Sequence, residues 1–374
     1  MEKKNLKIII SGGGTGGHIF PAVSIANAIR QIDPDVDILF VGAEGRMEME
    51  KVPTAGYKIV GLPVVGFQRT LSLQNLTFFF KLYKSINKAK KVLNDFRPDV
   101  VVGVGGYASG PMLRSAQKKD IPTLIQEQNS YAGVTNKLLA TKAKVICVAY
   151  EGMERYFPRE KIILTGNPVR QDLVNLESKR EEARRYFDIP EGKKVMLVLG
   201  GSLGARTINR SIIRYMPDLA VRQDLVVIWQ TGKLYYIDLK QELSAYDSRN
   251  IRLFDFITRM DLAFSAADII ISRAGAGTIS ELCLVGKPAI LVPSPNVAED
   301  HQTKNALSLV NRDAAMMISD VKAQEELVIL ALELINDESK RKKLSENITR
   351  LALPDAAKEI AEKVIKLGRG EKIV

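Results

Sequence analysis

The stretch Lys7–His18, which reads KIIISGGGTGGH, decides the fold class of this chain. A short aliphatic strand runs into a glycine turn and then a helix. Such a turn presents unpaired backbone N–H groups and the positive end of a helix, which together bind phosphate. The same arrangement recurs at Lys194–Arg206, which reads KVMLVLGGSLGAR. Two such units predict two Rossmann-like domains that bind a nucleotide or a diphosphate.

Strand-like runs alternate with helical spacing throughout the chain, which is typical of parallel α/β architecture. The predicted strands lie at 7–11, 36–41, 57–60, 99–104, 121–125, 144–149, 194–199, 225–230, 250–254, 268–272, 288–292 and 314–318. Gly166-Asn167-Pro168 breaks this alternation and predicts a hinge. We expect an N-terminal domain over 1–165 and a C-terminal domain over 166–354. A helix at about 355–374 can pack back on the N-terminal domain.

Composition places the chain among ordinary globular proteins. It has 374 residues, of which 46% are hydrophobic and 26% are charged. No secretory signal and no apolar run of roughly 18–20 residues is visible, so we expect a cytoplasmic location. Cys147 and Cys283 lie in apolar runs and are interpreted as reduced core residues. The only histidines, His18 and His301, have no metal-ligand spacing, and we expect neither a metal nor a cofactor.

The excess positive charge is concentrated in the first half of the chain. Residues 1–168 contain 23 Lys+Arg against 14 Asp+Glu, which gives +9, whereas the remainder gives +2 of the total +11. Such a surface suits nucleic acid, anionic lipid or phosphorylated substrates. Since no nucleic-acid motif accompanies it, we favour lipid or phosphate and expect no nucleic-acid partner.

One predicted helix, Leu76–Phe96, combines this charge with aromatic residues. One side carries Phe79, Leu82, Tyr83, Ile86, Ala89, Leu93 and Phe96, and another carries Lys81, Lys84, Lys88 and Lys91. Phe78–Phe80 directly precede the first of these lysines, and Phe67 lies upstream of the helix. A basic helix with aromatic residues suits contact with a membrane surface. A helix packed on the sheet with its lysines in water fits equally well, and the charge of this half favours the membrane.

The first glycine loop also permits other interpretations. Gly12, Gly14 and Gly17 match the dinucleotide fingerprint G-x-G-x-x-G, with Glu44 as a possible ribose-binding acid, which would indicate a NAD-dependent dehydrogenase. That match alone is weak. His18 lies at a helix start, where the dipole keeps imidazole neutral and able to accept a proton from a hydroxyl. A polar helix-start residue is the alternative.

Further polar or glycine-rich segments follow predicted strands. Gly103–Pro111 is either a second anion-binding turn or a tightly packed turn. Gln126–Ser130 gathers amide and carboxylate groups where α/β sheets bind ligands. Ser272–Glu281 combines small residues with a glutamate that could bind ribose hydroxyls. Asp300–Gln302 could contact sugar hydroxyls, although by residue type an ordinary helix start is favoured.

Several of these motifs together resemble a known family. The segments concerned are Ser11–Ala22, Gly105–Pro111, Gln126–Asn129, Thr135–Lys137, Gly166–Arg170, Gly200–Ala205, Ser272–Gly275 and Glu281. They are similar, in the same order over almost the whole chain, to the peptidoglycan N-acetylglucosaminyltransferases of glycosyltransferase family 28. The set is specific although no single motif is.

The resemblance implies a GT-B fold, in which two Rossmann-like doubly wound parallel-sheet domains face a cleft. It implies metal-independent, inverting transfer of GlcNAc from UDP-GlcNAc to lipid I, the undecaprenyl-diphosphate MurNAc-pentapeptide, which yields lipid II. The donor would bind mainly the C-terminal domain and the acceptor the N-terminal domain. The protein would then act as a peripheral protein at the cytoplasmic face of the cell membrane, on an anionic surface.

The resemblance also implies roles for individual residues. His18 would be the catalytic base, with Glu127 as a less favoured candidate. The donor would contact Thr15, Gly16, Gly17, Asn129, Arg170, Ser202, Ile257, Ala276, Gly277, Thr278, Ile279, Ser280, Glu281 and Gln302. Within this set Arg170 and Ser202 would hold the diphosphate, Ile257 the uracil, Glu281 the ribose, and Asn129 and Gln302 the GlcNAc. The acceptor would contact Gly13, Gly14, Gly105, Gly106, Tyr107 and Asn136.

Three positions depart from the family pattern. Gln126 stands where histidine is frequent, His301 where a second glutamine is common, and Gly277 where a larger apolar residue is frequent. These departures affect local contacts and leave the expected activity unchanged. Another GT-B lipid glycosyltransferase, a UDP-sugar epimerase and a membrane-associated nucleotide-binding scaffold without catalysis stay open as alternatives.

Overall fold

The computed structural model describes residues 5–14, 16–64, 74–170, 173, 176–201, 203–297 and 300–373, with residues 74–79 described by their backbone. The chain divides into two compact units. Unit 1 comprises Met1–Val169 together with Asp355–Val374, and unit 2 comprises Arg170–Pro354. The second segment of unit 1 therefore follows unit 2 in the sequence.

The described residues of unit 1 form a parallel seven-stranded sheet in the order β3-β2-β1-β4-β5-β6-β7. The strands are β1 (Lys7–Ser11), β2 (Asp37–Ala43), β3 (Lys58–Leu62), β4 (Val100–Gly103), β5 (Thr123–Glu127), β6 (Val145–Val148) and β7 (Ile162–Leu164). The sequence predicted the first six. Ile8, Ile9 and Ile10 of β1 are fully buried, because a central parallel strand is covered on both faces.

Helices cover the two faces of this sheet. The described helices are α1 (Gly16–Ile32), α2 (Glu48–Thr54), α3 (Gln74–Phe96), α4 (Ser109–Gln117), α5 (Val134–Ala140) and, after unit 2, α15 (Ala356–Gly368). Ile8 and Ile10 belong to one core cluster with α1 and α15, whereas Ile9 belongs to another with α3 and α4. This division follows the alternation of side chains along a strand. Helix α15 completes the core of unit 1.

The described residues of unit 2 form a parallel six-stranded sheet in the order β10-β9-β8-β11-β12-β13. The strands are β8 (Lys194–Leu199), β9 (Leu225–Gln230), β10 (Ile251–Phe254), β11 (Ile269–Ser272), β12 (Ala289–Leu291) and β13 (Met316–Met317). The described helices are α6 (Arg180–Tyr186), α7 (Arg206–Arg214), α8 (Met216–Ala220), α9 (Tyr236–Leu243), α10 (Met260–Ala266), α11 (Ala276–Val285), α12 (His301–Val310), α13 (Asp320–Asn336) and α14 (Glu338–Thr349).

Each sheet is doubly wound, which confirms the predicted pair of Rossmann-like domains. Both strand orders follow the Rossmann pattern 3-2-1-4-5-6, so the winding reverses between β1 and β4 in unit 1 and between β8 and β11 in unit 2. Ligands of open α/β sheets bind beyond the carboxyl ends of the strands at these reversal points. We therefore expect ligands to bind at four loops, which follow β1, β4, β8 and β11.

Helix α3 begins at Gln74 and ends at Phe96, two residues longer than predicted at its N-terminus. Ala89 and Leu93 are buried as expected, whereas Tyr83, predicted on the same side, is 65% exposed. The predicted aromatic residue Phe67 and the side chains of Phe78 and Phe79 lie outside the described residues. Among the described helices, none is long and apolar enough to cross a membrane.

Candidate active site

The loops after β1 and β4 pack directly on each other in unit 1. A methyl group on Gly106 would overlap the carbonyl oxygen of Gly13, and one on Gly12 would overlap Val104. Gly106 also has a φ of +83°, which favours glycine. Close packing therefore accounts for much of the glycine content of both loops. It brings together Gly13, Gly14, Gly105 and Gly106, the glycines assigned to the acceptor from sequence.

A buried carboxylate, which the sequence analysis did not single out, holds the first of these loops. Glu48 in the first turn of α2 is 1% exposed. Its Oε2 accepts a hydrogen bond from the backbone N–H of Gly14 at 2.9 Å, and its Oε1 accepts one from Ala43 at 2.9 Å. The available signal was its spacing from Val52, since residues i and i+4 share a helix face and Val52 is apolar.

His18 lies in the first turn of α1 and is half-buried. Its Nδ1 is 2.9 Å from Oε1 of Gln128, a side chain that is 3% exposed. A methyl group on Gly105 would lie 2.8 Å from Cε1 of the imidazole, so the β4 loop packs against the ring. The hydrogen bond to Gln128 and the close approach of Gly105 therefore both help to hold the candidate base. Thr15, which precedes this helix, lies outside the described residues.

Glu127, the other candidate base, is 2% exposed and surrounded by donors. Its carboxylate accepts hydrogen bonds from the backbone N–H groups of Asn129 at 3.1 Å and Gly133 at 3.0 Å, and from Nδ2 of Asn136 at 2.8 Å. These contacts shape the loop that carries Asn129. Oδ1 of Asn136 is buried and accepts no hydrogen bond from the described residues. Tyr107 is 56% exposed.

In unit 2 the glycine turn after β8 is tied to the loop after β10 by Gln230. The amide nitrogen of Gln230 donates to the carbonyl oxygen of Gly201 at 3.1 Å, and its Oε1 accepts from the backbone N–H of Ile257 at 2.8 Å. Gln230 is thus a positioning residue that the sequence analysis missed, because its partners are far away in the sequence. Ser202 in the same turn lies outside the described residues.

The loop after β11 leads into α11, which holds the residues assigned to the nucleotide sugar. Nε of Arg170 is 3.5 Å from Oε1 of Glu281, an ion pair between two residues assigned to adjacent parts of the donor. A Cβ on Gly277 would meet nothing within 4 Å, so the departure at this position leaves open space. Ile279 is 2% exposed, and its side chain belongs to the interior. Ala276, Thr278 and Ser280 complete this turn and a half of helix.

Gln302 in the first turn of α12 joins the loops after β11 and β12. Its Oε1 accepts from the backbone N–H groups of Ala274 at 3.3 Å and Ser294 at 2.9 Å. Its amide nitrogen donates to no residue that the structure describes, which leaves it available to a sugar hydroxyl. The neighbouring His301 begins the same helix and is half-buried.

Arg273 stabilises the loop after β11. In the sequence it was noted only as part of the segment Ser272–Gly275. Its guanidinium donates to the carbonyl oxygen of Val292 at 3.0 Å and to Asp320. Asp320 also accepts from the hydroxyl of Thr207 in α7 at 2.8 Å. The arginine therefore links the loops after β11 and β12 to two helices. In the described part of the chain, no cluster of three or more His, Cys, Asp or Glu could hold a metal ion.

Comparison with known proteins assigns this geometry to a class. The profile of the glycosyltransferase family 28 N-terminal domain matches residues 8–148, and that of the glycosyltransferase family 28 C-terminal domain matches residues 195–360. The chain belongs to glycosyltransferase family 28, as the motif resemblance predicted.

A curated relative narrows this class. The UDP-N-acetylglucosamine–N-acetylmuramyl-(pentapeptide) pyrophosphoryl-undecaprenol N-acetylglucosamine transferase of Parabacteroides distasonis is 59% identical over 364 residues, which cover 97% of this chain and 99% of the relative. The chain therefore belongs among the transferases of that name.

Solved structures agree with the fold. The crystal structure of MurG from Acinetobacter baumannii has a TM-score of 0.76 and 28% identity, and the match covers 96% of this chain and 99% of that one. The UDP-GlcNAc 2-epimerase of Neisseria meningitidis, solved with UDP-GlcNAc bound, has a TM-score of 0.67 and 17% identity, covering 96% and 100%. At that identity, the second likeness concerns the fold alone.

Proposed function

We propose that this protein transfers GlcNAc from UDP-GlcNAc to a hydroxyl of the muramyl sugar of lipid I and so forms lipid II, with inversion and without a metal. The observation that carries the proposal is the 59% identity, over 97% of the chain, to a relative named for this reaction. Two observations support the same assignment. The motifs resemble those of the family, and the loops that carry them lie at the winding reversals of the two sheets.

In the proposed reaction His18 removes the proton from the acceptor hydroxyl. An imidazole in the first turn of a helix is kept neutral by the helix dipole and can act as a general base. Glu127 serves instead as an anchor, because three close N–H donors already occupy its carboxylate. It would thereby hold Asn129 in place for contact with the GlcNAc.

The acceptor diphosphate is proposed to bind the paired loops after β1 and β4 in unit 1. Gly13, Gly105, Gly106 and Tyr107 would line this position, and the buried Asn136 would contribute by its hydrogen bond to Glu127. The N–H of Gly14 is already donated to Glu48, so this glycine would shape the loop and leave anion binding to neighbouring N–H groups.

The donor is proposed to bind mainly at the winding reversal of unit 2. Negative charge builds up on UDP as it departs, and without a metal it must be stabilised by preorganised donors. Arg170 and the turn containing Ser202 would supply them, while Glu281 binds the ribose. Diphosphate and ribose are adjacent in UDP, so the 3.5 Å ion pair between Arg170 and Glu281 supports these roles.

The other donor contacts follow the same division. Ile257, tied by Gln230 to the glycine turn, would contact the uracil. Gln302 would donate to a GlcNAc hydroxyl. The remaining proposed contacts are Thr15, Gly16, Gly17, Ala276, Gly277, Thr278, Ile279 and Ser280, with Ile279 acting through its backbone because its side chain is buried.

We also propose that unit 1 binds an anionic membrane surface at the cytoplasmic face through α3. Phe80 and Tyr83 are 61% and 65% exposed, and Lys84 lies 4.5 Å from the centre of the Phe80 ring. Lys81 is exposed beside them. A cavity of 240 Å³ next to this helix is lined mainly by apolar side chains and includes Tyr107. Exposed aromatic residues beside lysines suit the interface of an anionic bilayer.

The activity is tested with purified protein, UDP-GlcNAc and a soluble analogue of lipid I. We expect transfer of GlcNAc, tight binding of UDP and no binding of NAD. Replacing His18 with alanine should lower kcat by about 10²- to 10⁴-fold, whereas a catalytically inert scaffold would show no such loss. Absence of transfer would refute the proposal, and conversion of UDP-GlcNAc without acceptor would indicate an epimerase.

The membrane contact is tested by flotation with vesicles of phosphatidylglycerol and phosphatidylcholine. We expect Phe80→Ser and Lys84→Glu to reduce binding. Val321→Ser and Lys342→Glu change an exposed apolar residue and an exposed lysine in unit 2 and serve as controls. Equal binding by all four variants would contradict the proposed surface.

A further inference from the structure

Behind His18 lies a row of buried amide side chains formed by Gln128, Gln126 and Asn167, all between 0% and 3% exposed. We propose that Gln128 is a positioning residue that holds His18 as the tautomer protonated on Nδ1, so that Nε2 carries the lone pair that accepts the proton. This inference rests on the proposed function, in which His18 is the base.

The direction of the hydrogen bonds follows from one fixed acceptor. The carbonyl oxygen of Val104 can only accept, and it lies 2.7 Å from the side-chain nitrogen of Gln128. That contact sets the orientation of the amide, so its oxygen faces His18. Because a carbonyl oxygen cannot donate, the 2.9 Å contact requires the proton to lie on Nδ1 of His18. Nε2 is then unprotonated in the neutral ring.

The rest of the row supports the same orientation. The side-chain nitrogen of Gln128 also donates to Oε1 of Gln126. Nε2 of Gln126 in turn donates to Oδ1 of Asn167 at 3.1 Å. Nδ2 of Asn167 donates to the backbone oxygen of Gln128 at 3.0 Å. Turning the Gln128 amide over would place its oxygen against the carbonyl oxygen of Val104 and against Oε1 of Gln126, which would leave buried oxygen atoms without a donor.

The β4 loop also limits how far His18 can turn. Gly105 has a φ of +91°, and a methyl group at this position would come within 2.8 Å of Cε1. The imidazole is thus restricted by both the β4 loop and Gln128. Without the Gln128 amide, the ring would lose this hydrogen bond, and we expect a larger fraction of the molecules to carry the proton on Nε2. Those molecules could not accept the proton of the substrate.

The tautomer can be measured directly because the chain contains only two histidines. We would label histidine with ¹⁵N and record long-range ¹H–¹⁵N spectra of the neutral ring, using His301→Gln to assign the signals. The expected result is a protonated Nδ1 and an unprotonated Nε2 in His18. A protonated Nε2 in the wild-type protein would overturn the proposal, whatever the activity.

Kinetics of Gln128→Met supply the second readout. We expect kcat to fall at least about 10-fold, which is less than the loss for His18→Ala, while KM for UDP-GlcNAc stays near that of the wild type. Gln117→Met is the control for the same substitution elsewhere in unit 1, since Gln117 is half-buried and donates hydrogen bonds to Thr123 and Leu139. A kcat equal to that of the wild type in Gln128→Met would refute the proposal.

The two proposals fail in different ways. If the wild-type protein transfers no GlcNAc, the proposed function is wrong, and the tautomer measurement still decides the role of Gln128. If transfer depends on His18 and yet the wild-type tautomer is the opposite one, only the role of Gln128 is wrong. If Gln128→Met does not fold, the spectrum of the wild-type protein remains decisive.

Discussion

Replacing Glu48 with glutamine tests how the first glycine loop is held. The carboxylate accepts hydrogen bonds from two backbone N–H groups, those of Gly14 and Ala43. An amide of the same size keeps one acceptor oxygen and turns an NH₂ group toward the other N–H. One charge-assisted bond is then lost, worth about 1.5–3 kcal/mol, and the remaining one is weakened. We expect unit 1 to lose about 2–4 kcal/mol of unfolding free energy.

Two measurements check this value. For a unit of this size, 1 kcal/mol shifts the melting temperature by roughly 2–4 °C, so calorimetry should show a decrease of about 4–16 °C in the transition of unit 1. Hydrogen exchange of the Ala43 amide should accelerate by at least about 10-fold, since 1.4 kcal/mol corresponds to a factor of ten. The KM for the acceptor should rise because Gly14 is released.

The control is Glu50→Gln, which removes a carboxylate from the same helix at a position where the side chain is 76% exposed. It should change the melting temperature little, as surface ion pairs contribute about 0–1 kcal/mol. If Glu48→Gln behaves like this control in both measurements, the carboxylate does not hold the loop and the reasoning is wrong.

Three further predictions concern packing and titration. Gly106→Ala should destabilise unit 1 and raise the KM for the acceptor more than Gly152→Ala does. Both glycines have positive φ, but only at Gly106 would a methyl group overlap another loop. Equal effects of the two substitutions on melting temperature and KM would contradict this. In unit 2, hydrogen bonds from Arg259 and Lys179 hold the pKa of Asp261 well below its usual range. The resulting stability is complete above about pH 5 and is lost as the pH falls further. We would measure the unfolding free energy from urea titrations followed by Trp229 fluorescence. Below pH 4 it should fall more steeply with pH in the wild type than in Asp261→Asn. The same pH dependence in both proteins would argue against this role of Asp261. Burial raises the pKa of Cys147 and Cys283 to about 12, so iodoacetamide should label either thiol only on unfolding, and rapid labelling of the native protein in a mass spectrum would count against that burial.

Hydrophobic patterning was sufficient to predict most of the two sheets. Runs such as Ile8–Ile10 and Val100–Val102 are continuous and aliphatic because a central parallel strand is buried on both faces. Strand β7 was missed since it has three residues, Ile162–Leu164, with Leu164 42% exposed at the edge of the sheet. Edge strands have few neighbours, so their sequences carry a weaker pattern.

The candidate site was only partly visible in the sequence. Local motifs identified the loops after β1, β4, β8 and β11, because a turn is encoded by neighbouring residues. The residues that hold those loops are Glu48, Gln128 and Gln230, and they contact partners 27–110 positions away in the sequence. Their roles depend on the folded arrangement of the strands. The exposure of Tyr83 on α3 was likewise not predictable from spacing, since the neighbouring elements determine which part of a helix is covered.

Helix α15 has a consequence for protein synthesis. Ile360 and Val364 belong to the same core cluster as Ile25 and Ile29 of α1, yet the ribosome makes all of unit 2 before it makes α15. The apolar face of α1 that packs on α15 is therefore exposed in the nascent chain while unit 2 folds. Domains usually fold in the order in which they are translated. For this chain we expect unit 2 to complete its core before unit 1. A chain that stops before Asp355 would expose an apolar surface that chaperones can bind.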